Sequence, residues 1–340
     1  MNKRFQAALR REAQNTPPIW LMRQAGRYHS HYQQLRAKHS FVDLCKIPEL
    51  AAETTLGPIK EFGFDAAILF SDLLFPLEAM GMGLKYDPAP TLEFQLDPGT
   101  FARLRCDDEA KARLNFQGEA TRACREALPK DTSLIGFVGG PWTLFVYAAE
   151  GSHKGSLTKS KRLLPGLFGK FCELVMPLLE HTIARQLEGG AEVVMIFDTA
   201  AGELSPHDFE KWNSPWLTRL AARFPGKLGY YGKGTTEFHL AVPGMQKAPF
   251  AGFGIDHRFS MAPMLRQHQH GFLQGNFDQS LLHLEPSDFE KALHEYLAPL
   301  RELSPDQRRG WIAGLGHGVL PQTPERNVHR YVEKIREVFV

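Results

Sequence analysis

The sequence predicts an α/β protein folded as one (βα)8 TIM barrel over residues 1–340, and three observations carry that expectation. Eight short apolar runs recur along the chain. Stretches with helical periodicity separate them. Most of the runs end in a polar or charged residue, often beside glycine, as the mouth of a barrel requires.

The runs are Ile19–Met22, Ala66–Phe70, Leu134–Val138, Val193–Phe197, Leu228–Tyr231, Ala251–Ile255, Gly271–Gln274 and Gly310–Ala313. Several are apolar throughout, the pattern of a parallel strand covered on both faces. Between them, Phe171, Leu174, Val175 and Leu178 follow i, i+3, i+4, i+7 spacing, and Val328, Tyr331, Val332 and Ile335 follow it near the C-terminus. Ser287 is expected to open another helix, with Glu290 completing a capping box ahead of Leu293, Tyr296 and Leu297. An open doubly wound sheet is the competing architecture. No G-x-G-x-x-G follows the first run, which weakens its dinucleotide-binding version. No internal repeat or low-complexity linker suggests a second domain, and Tyr86–Gly99, rich in Pro and Asp, reads as a loop.

Of the 340 residues 43% are hydrophobic and 23% charged, and the net charge is +2. That balance gives no electrostatic case for nucleic acid or a membrane surface, so any anion must be held by locally placed arginines. Cys45, Cys106, Cys124 and Cys172 are scattered and form no C-x-x-C pair, which fits a reduced compartment. Residues Met1 to Gln14 lack the apolar core of a secretory signal, and no apolar run approaches a membrane span. A cytoplasmic location is expected.

The run ends supply the candidate site: Arg23, Asp72, Asp198 with Thr199, Lys233, Asp256, Asn276 and His317. Any one of them could be ordinary loop chemistry, since loops are polar. Arg23 and Arg27 flank small residues straight after the first run. Guanidinium groups bind carboxylates in a planar, bidentate way and stay charged when desolvated, although a pair of structural salt bridges would leave the same pattern. Asp72 stands in Phe70-Ser71-Asp72-Leu73-Leu74-Phe75-Pro76, and a carboxylate so surrounded must be paired, hydrogen-bonded or protonated. It could accept ligand N–H groups, or it could pair with Arg23 or Arg27. Gly139-Gly140-Pro141-Trp142-Thr143 follows the third run, and Tyr147 comes next on a helix where spacing alone favours packing. His317 lies between two glycines, free to reach a carboxylate or move a proton, although a plain loop histidine is the commoner case. Phe75, Met80 and Met82 could line an apolar wall or belong to the core. His29-x-His31 and His268-x-His270 are the closest histidine pairs, and His268 precedes a run, at the end of the barrel away from the mouth. No H-x-C, H-E-x-x-H or clustered Cys/His pattern appears, so neither zinc nor another metal is expected.

In order along nearly the whole chain, these motifs resemble the uroporphyrinogen decarboxylase family. The resemblance rests on Ile19-Trp20-Leu21-Met22-Arg23-Gln24-Ala25-Gly26-Arg27-Tyr28, Leu35-Arg36-Ala37-Lys38, Pro48-Glu49-Leu50-Ala51-Ala52-Glu53 and Phe64-Asp65-Ala66-Ala67-Ile68-Leu69-Phe70-Ser71-Asp72. Leu134-Ile135-Gly136-Phe137, Pro141-Trp142-Thr143-Leu144, Leu273-Gln274-Gly275-Asn276 and Leu315-Gly316-His317-Gly318 complete it. It implies a single barrel, usually a homodimer, that takes the four acetates of uroporphyrinogen III to methyls without cofactor or metal, giving coproporphyrinogen III in haem synthesis. It implies substrate contacts at Arg23, Arg27, Asp72, Tyr147, Thr199 and His317, with Asp72 and Arg23 carrying the catalysis. The chain departs from the family in having Thr199 where serine is common, His257 where an aromatic often follows Asp256, and a glycine-poor Glu150-Gly151-Ser152-His153. Two other functions compete. A corrinoid or thiol methyltransferase of the same superfamily would need a zinc site of histidine and cysteines. A non-catalytic tetrapyrrole carrier would have no need of Asp72 and Tyr147.

Overall fold

The computed structural model describes residues 1–86 and 89–339. Seven parallel strands form one sheet whose neighbours follow chain order: β1 Ala66–Ile68, β2 Ser133–Gly139, β3 Val193–Asp198, β4 Leu228–Gly232, β5 Gly252–Gly254, β6 Phe272–Phe277 and β7 Trp311–Leu315. The α/β architecture is the one the sequence predicts.

The first run, Ile19–Met22, departs from expectation. It is not a strand; Ile19 makes a single parallel bridge to Ala313 of β7. The Trp20 N–H donates to the Ala313 carbonyl at 3.1 Å, and the Ala313 N–H donates to Pro18 at 2.9 Å. On the other side the Asp65 N–H donates to the Ile19 carbonyl at 3.0 Å, while the Asp65 carboxylate accepts the Ile19 N–H at 2.9 Å. This run therefore joins both edges of the sheet and closes the ring. Pro17 and Pro18 bring no N–H to a ladder, and Arg23 turns the chain away at φ 60°, so the pairing cannot lengthen.

Side chains alternate across the strands. Ile135 and Phe137 of β2 and Val193 and Met195 of β3 point into the barrel with Trp20 and Phe272, and Phe5 of the helix Lys3–Leu9 packs with this inner layer. Leu134, Val138, Val194 and Ile196 point outward into the larger core beneath the helices. Both periodic helices form, as Gly169–Glu188 and Glu325–Val338. The capping box at Ser287 does not. Pro286 opens that helix at its first turn, two residues early, and Glu285 stands as the N-cap without a side-chain bond. Glu290 pairs with Arg330 instead. Within Tyr86–Gly99 the described part is not all loop, because Lys85–Tyr86 pairs antiparallel with Pro90–Thr91; residues 87 and 88 lie outside the described residues. Among the described residues no helix is long and apolar enough to cross a membrane.

Candidate active site

The mouth is built where strands stop pairing. β1 ends early: the Leu69 N–H still reaches the Ile135 carbonyl at 2.9 Å, but the Phe70 N–H turns to Thr55 Oγ1 at 3.0 Å. The chain leaves the sheet through Ser71 and Asp72, and the Asp72 carboxylate accepts the Leu74 N–H at 2.8 Å ahead of the helix Phe75–Ala79. Crowding by protein atoms raises the Asp72 pKa above the usual carboxylate value; the Leu74 N–H, the nearby Tyr86 hydroxyl and Arg23 oppose the shift. Among the described residues the buried Tyr86 hydroxyl makes no well-formed hydrogen bond, yet it lies near enough to Asp72 for each to shift the other's ionisation.

Arg23 occupies the left-handed region, and the Val319 N–H donates to the Met22 carbonyl at 3.0 Å, tying the first loop to the last. Its arm crosses Gly318, where a Cβ would lie 2.5 Å from Arg23 Cδ. Neither Arg23 nor Arg27 has a carboxylate within 4.0 Å among the described residues. The expected alternative, a salt bridge from Asp72 to one of them, is therefore not formed. Arg27 is exposed beside Tyr32, and among the described residues no side-chain hydrogen bond or ion pair joins it to the rest of the site.

Tyr147 sits on the helix Pro141–Glu150, half-buried, with its hydroxyl 2.6 Å from His153 Nδ1. Burial first, then Asp72, push its pKa up to about 12, against the pull of Arg23. The Thr199 hydroxyl is buried and has no hydrogen-bond partner among the described residues. The His317 ring stacks on Tyr231, with centroids 6.0 Å apart, and its Nδ1 lies 3.2 Å from the Tyr231 hydroxyl. That hydroxyl donates to the Gly316 carbonyl at 2.7 Å. Burial, then the nearby Arg23, Lys233, His153 and His257, lower the His317 pKa to about 3, so the ring is neutral at ordinary pH.

Three of the polar run ends do other work. Asp198 is fully buried and accepts from the Thr143 hydroxyl at 2.5 Å, the Thr143 N–H at 3.1 Å, Asn213 Nδ2 at 2.7 Å and the Tyr230 hydroxyl at 3.2 Å. Gly140 is required beside it, since a Cβ there would meet Asp198 Cγ at 2.6 Å. Asp256 accepts the Gly234 N–H at 3.0 Å and holds Arg258. Asn276 donates to the carbonyls of Asp256 and Phe259. All three are buried braces for the loops. Phe75, Met80 and Met82 are also core, each no more than 1% exposed, because the helix and turn that carry them fold under the mouth.

Two further features stand at the mouth: Lys233, one of the run ends, and a row of aromatic rings that was less evident from sequence. Lys233 is pinned by its N–H to the Asp198 carbonyl at 3.2 Å and by its carbonyl, which accepts the Gly202 N–H at 3.0 Å. Its ammonium acts on both His153 and His317. Phe137, Phe197 and Tyr231 form a chain of rings with centroids 5.6 and 6.1 Å apart, continued by His317. Phe197 was legible in principle, since it continues the inward alternation of Val193 and Met195. Among the described residues no three His, Cys, Asp or Glu side chains gather in a way that could hold a metal ion.

Comparison with known proteins agrees with this architecture and goes further. By structure the chain is similar to a methyltransferase from Methanosarcina mazei, with a TM-score of 0.81, 19% identity and coverage of 100% and 99% of the two chains; at that identity the likeness carries the fold alone. By sequence it is 37% identical to a uroporphyrinogen decarboxylase of Anaeromyxobacter dehalogenans (strain 2CP-C), over 98% of each chain. It is 35% identical to one from Synechococcus sp. (strain JA-2-3B'a(2-13)), over 99% of this chain and 98% of that one. The family model described as uroporphyrinogen decarboxylase (URO-D) matches residues 1–338, and the chain belongs to that family.

Proposed function

We propose that this protein removes carbon dioxide from the four acetate arms of uroporphyrinogen III, leaving methyls and giving coproporphyrinogen III. The single observation that carries the reading is Asp72: a carboxylate crowded at the end of β1, near Arg23 but not ion-paired with it, with acceptor capacity left after its bond to Leu74. An acceptor in that setting suits pyrrole N–H donors and the cation they form.

The chemistry needs an electron sink, and a pyrrole is its own. Protonation of the ring carbon next to the one that bears the arm, between it and the nitrogen, gives an iminium conjugated through the ring to the arm-bearing carbon. The bond from the arm's methylene carbon to the carboxylate then breaks, its electrons neutralise the iminium, and carbon dioxide leaves. A second proton, taken up by the exocyclic methylene, makes the methyl, and loss of the first proton from the ring carbon restores the pyrrole, so one proton is consumed for each carbon dioxide released. Asp72 stabilises the cation electrostatically, in a site where such interactions count for more than in water. Arg23 and Arg27 take carboxylates, joined by Lys233; a basic rim suits a substrate with eight carboxylates. The Thr199 hydroxyl and the Nε2 edge of His317, neither hydrogen-bonded among the described residues, add polar contacts, and Phe137, Phe197 and Tyr231 give the macrocycle an apolar floor. In this reading the chain is a single domain, acts as a homodimer in the cytoplasm, and uses neither cofactor nor metal.

The test is anaerobic incubation of the purified protein with uroporphyrinogen III, followed by oxidation and chromatography. Stepwise appearance of seven-, six-, five- and four-carboxyl products without added metal supports the reading. Bound substrate without product would indicate a carrier, and neither binding nor turnover would overturn the assignment.

A further inference from the structure

We propose that His153 is a positioning residue for Tyr147: its Nδ1 accepts the phenolic proton, so that the Tyr147 oxygen meets the substrate with its lone pairs and from one fixed place. The inference rests on the reading of the mouth as the decarboxylation site.

The backbone brings the two rings together. The helix Pro141–Glu150 ends at Gly151, whose φ of 78° turns the chain back, and the Gly151 N–H donates to the Tyr147 carbonyl at 2.9 Å. The loop is tied at its far end as well. Leu157 is 2% exposed, and the Ser160 N–H and hydroxyl both donate to the Glu150 carboxylate, at 2.8 and 3.1 Å. His153 is thereby folded over its own helix, its ring centroid 5.4 Å from that of Tyr147 and Nδ1 2.6 Å from the hydroxyl.

The direction of the proton follows from the chemistry of the two groups. A phenol is a stronger donor than a neutral imidazole N–H, and an imidazole nitrogen is a stronger acceptor than a phenolic oxygen. The bond therefore runs from Tyr147 to Nδ1, provided His153 is neutral. Burial first, then Lys233 from the loop after β4, Arg23 from the first loop and Lys154 beside it, disfavour a fourth cation at the ring, with the neutral His317 nearby. The ring proton then sits on Nε2. A tyrosine whose proton is engaged cannot donate to an acetate; it offers electron pairs to pyrrole N–H groups and to the cation that forms on protonation. Tyr147 thus joins Asp72 as an acceptor, while Arg23 and Lys233 remain for the carboxylates.

Two measurements test this. The first is ¹⁵N NMR of the imidazole in the intact protein, with the His153 signals assigned by their loss in His153→Asn. An unprotonated Nδ1 and a protonated Nε2, with the pattern lost in Tyr147→Phe, is expected; a protonated Nδ1 overturns the proposal whether or not the protein turns substrate over. The second is kinetic. His153→Phe keeps the ring and should lower kcat about tenfold, the value of one positioned hydrogen bond. His153→Asn, whose Oδ1 can stand where Nδ1 stood, should recover to within about threefold of the parent. In a Tyr147→Phe background, His153→Phe should cost nothing more. Equal activity of His153→Phe and parent, no rescue by Asn, or losses that multiply across the two positions would each overturn it. If His153→Phe does not fold, His153→Leu takes its place. A parent without turnover would indict the proposed reaction and not the histidine.

Discussion

The side chain of Arg23 lies across Gly318, so close that a methyl group at 318 would fall 2.5 Å from Arg23 Cδ. The guanidinium is thus aimed by the absence of a side chain on the loop that also carries His317. Gly318→Ala should push the arm aside without unfolding the barrel, because the atom it meets belongs to a flexible side chain. We expect kcat/KM to fall by about tenfold, equivalent to roughly 1.4 kcal/mol of transition-state binding, with the thermal midpoint little changed. A normal kcat/KM would mean that the aim of Arg23 does not matter.

Removing the charge itself should do more. Arg23→Gln should cost about 2–4 kcal/mol, roughly 30- to 1000-fold in kcat/KM, if the group binds a carboxylate in a desolvated site. Because Arg23 also opposes the rise in the Asp72 pKa, its loss should raise that pKa further. The reaction needs the Asp72 carboxylate ionised, so activity falls as pH drops through this pKa. The acid limb of kcat/KM should therefore start above the ordinary carboxylate range and move higher still in the variant. A loss below about threefold would make Arg23 a surface charge of little consequence.

Thr143→Val tests the brace at Asp198. The hydroxyl gives its proton to Asp198 at 2.5 Å and accepts the Ala200 N–H at 3.0 Å, all in the buried interior. Valine keeps the shape and removes both bonds, leaving polar groups unsatisfied. We expect a loss of about 2–3 kcal/mol in urea unfolding. A loss below about 0.5 kcal/mol, the range of ordinary surface substitutions, would contradict the assignment of Thr143 as a structural anchor.

His317 makes a pH prediction about stability. Its folded pKa of about 3 lies below the 6.5 of the free side chain. Above pH 6.5 neither state holds this proton and the stability is fully present. As pH falls below 6.5 the unfolded chain takes up the proton and the folded one does not, so stability is lost until the folded ring also titrates near pH 3. His317→Asn should flatten that acid decline in denaturant midpoints measured across the window. An unchanged slope would show that His317 is not held neutral.

The fold was legible because buried parallel strands announce themselves as apolar runs, and seven of the eight runs are strands. The exception, Ile19–Met22, failed for a local reason: prolines on one side and a left-handed arginine on the other left room for one bridge. The site was only partly legible. A polar residue at a strand end can turn into the mouth or back under the loop. Asp72 and Asp198 look alike in sequence, and only the packing of Thr143, Asn213 and Tyr230 around the second makes it a brace. His153 stayed hidden because its partnership with Tyr147 depends on how one glycine-terminated helix folds back, which no spacing rule records.

The most direct test of the account is Asp72→Asn. The exchange keeps the shape and removes the charge that is to stabilise the cationic intermediate. With uroporphyrinogen III under anaerobic conditions, we expect a folded variant whose kcat is lower by about 10²- to 10³-fold, the scale seen when one electrostatic contact to a transition state is removed, while bound substrate is still recovered with the protein. A folded variant that forms coproporphyrinogen within about threefold of the parent rate, well short of that scale, would contradict the central role given to Asp72.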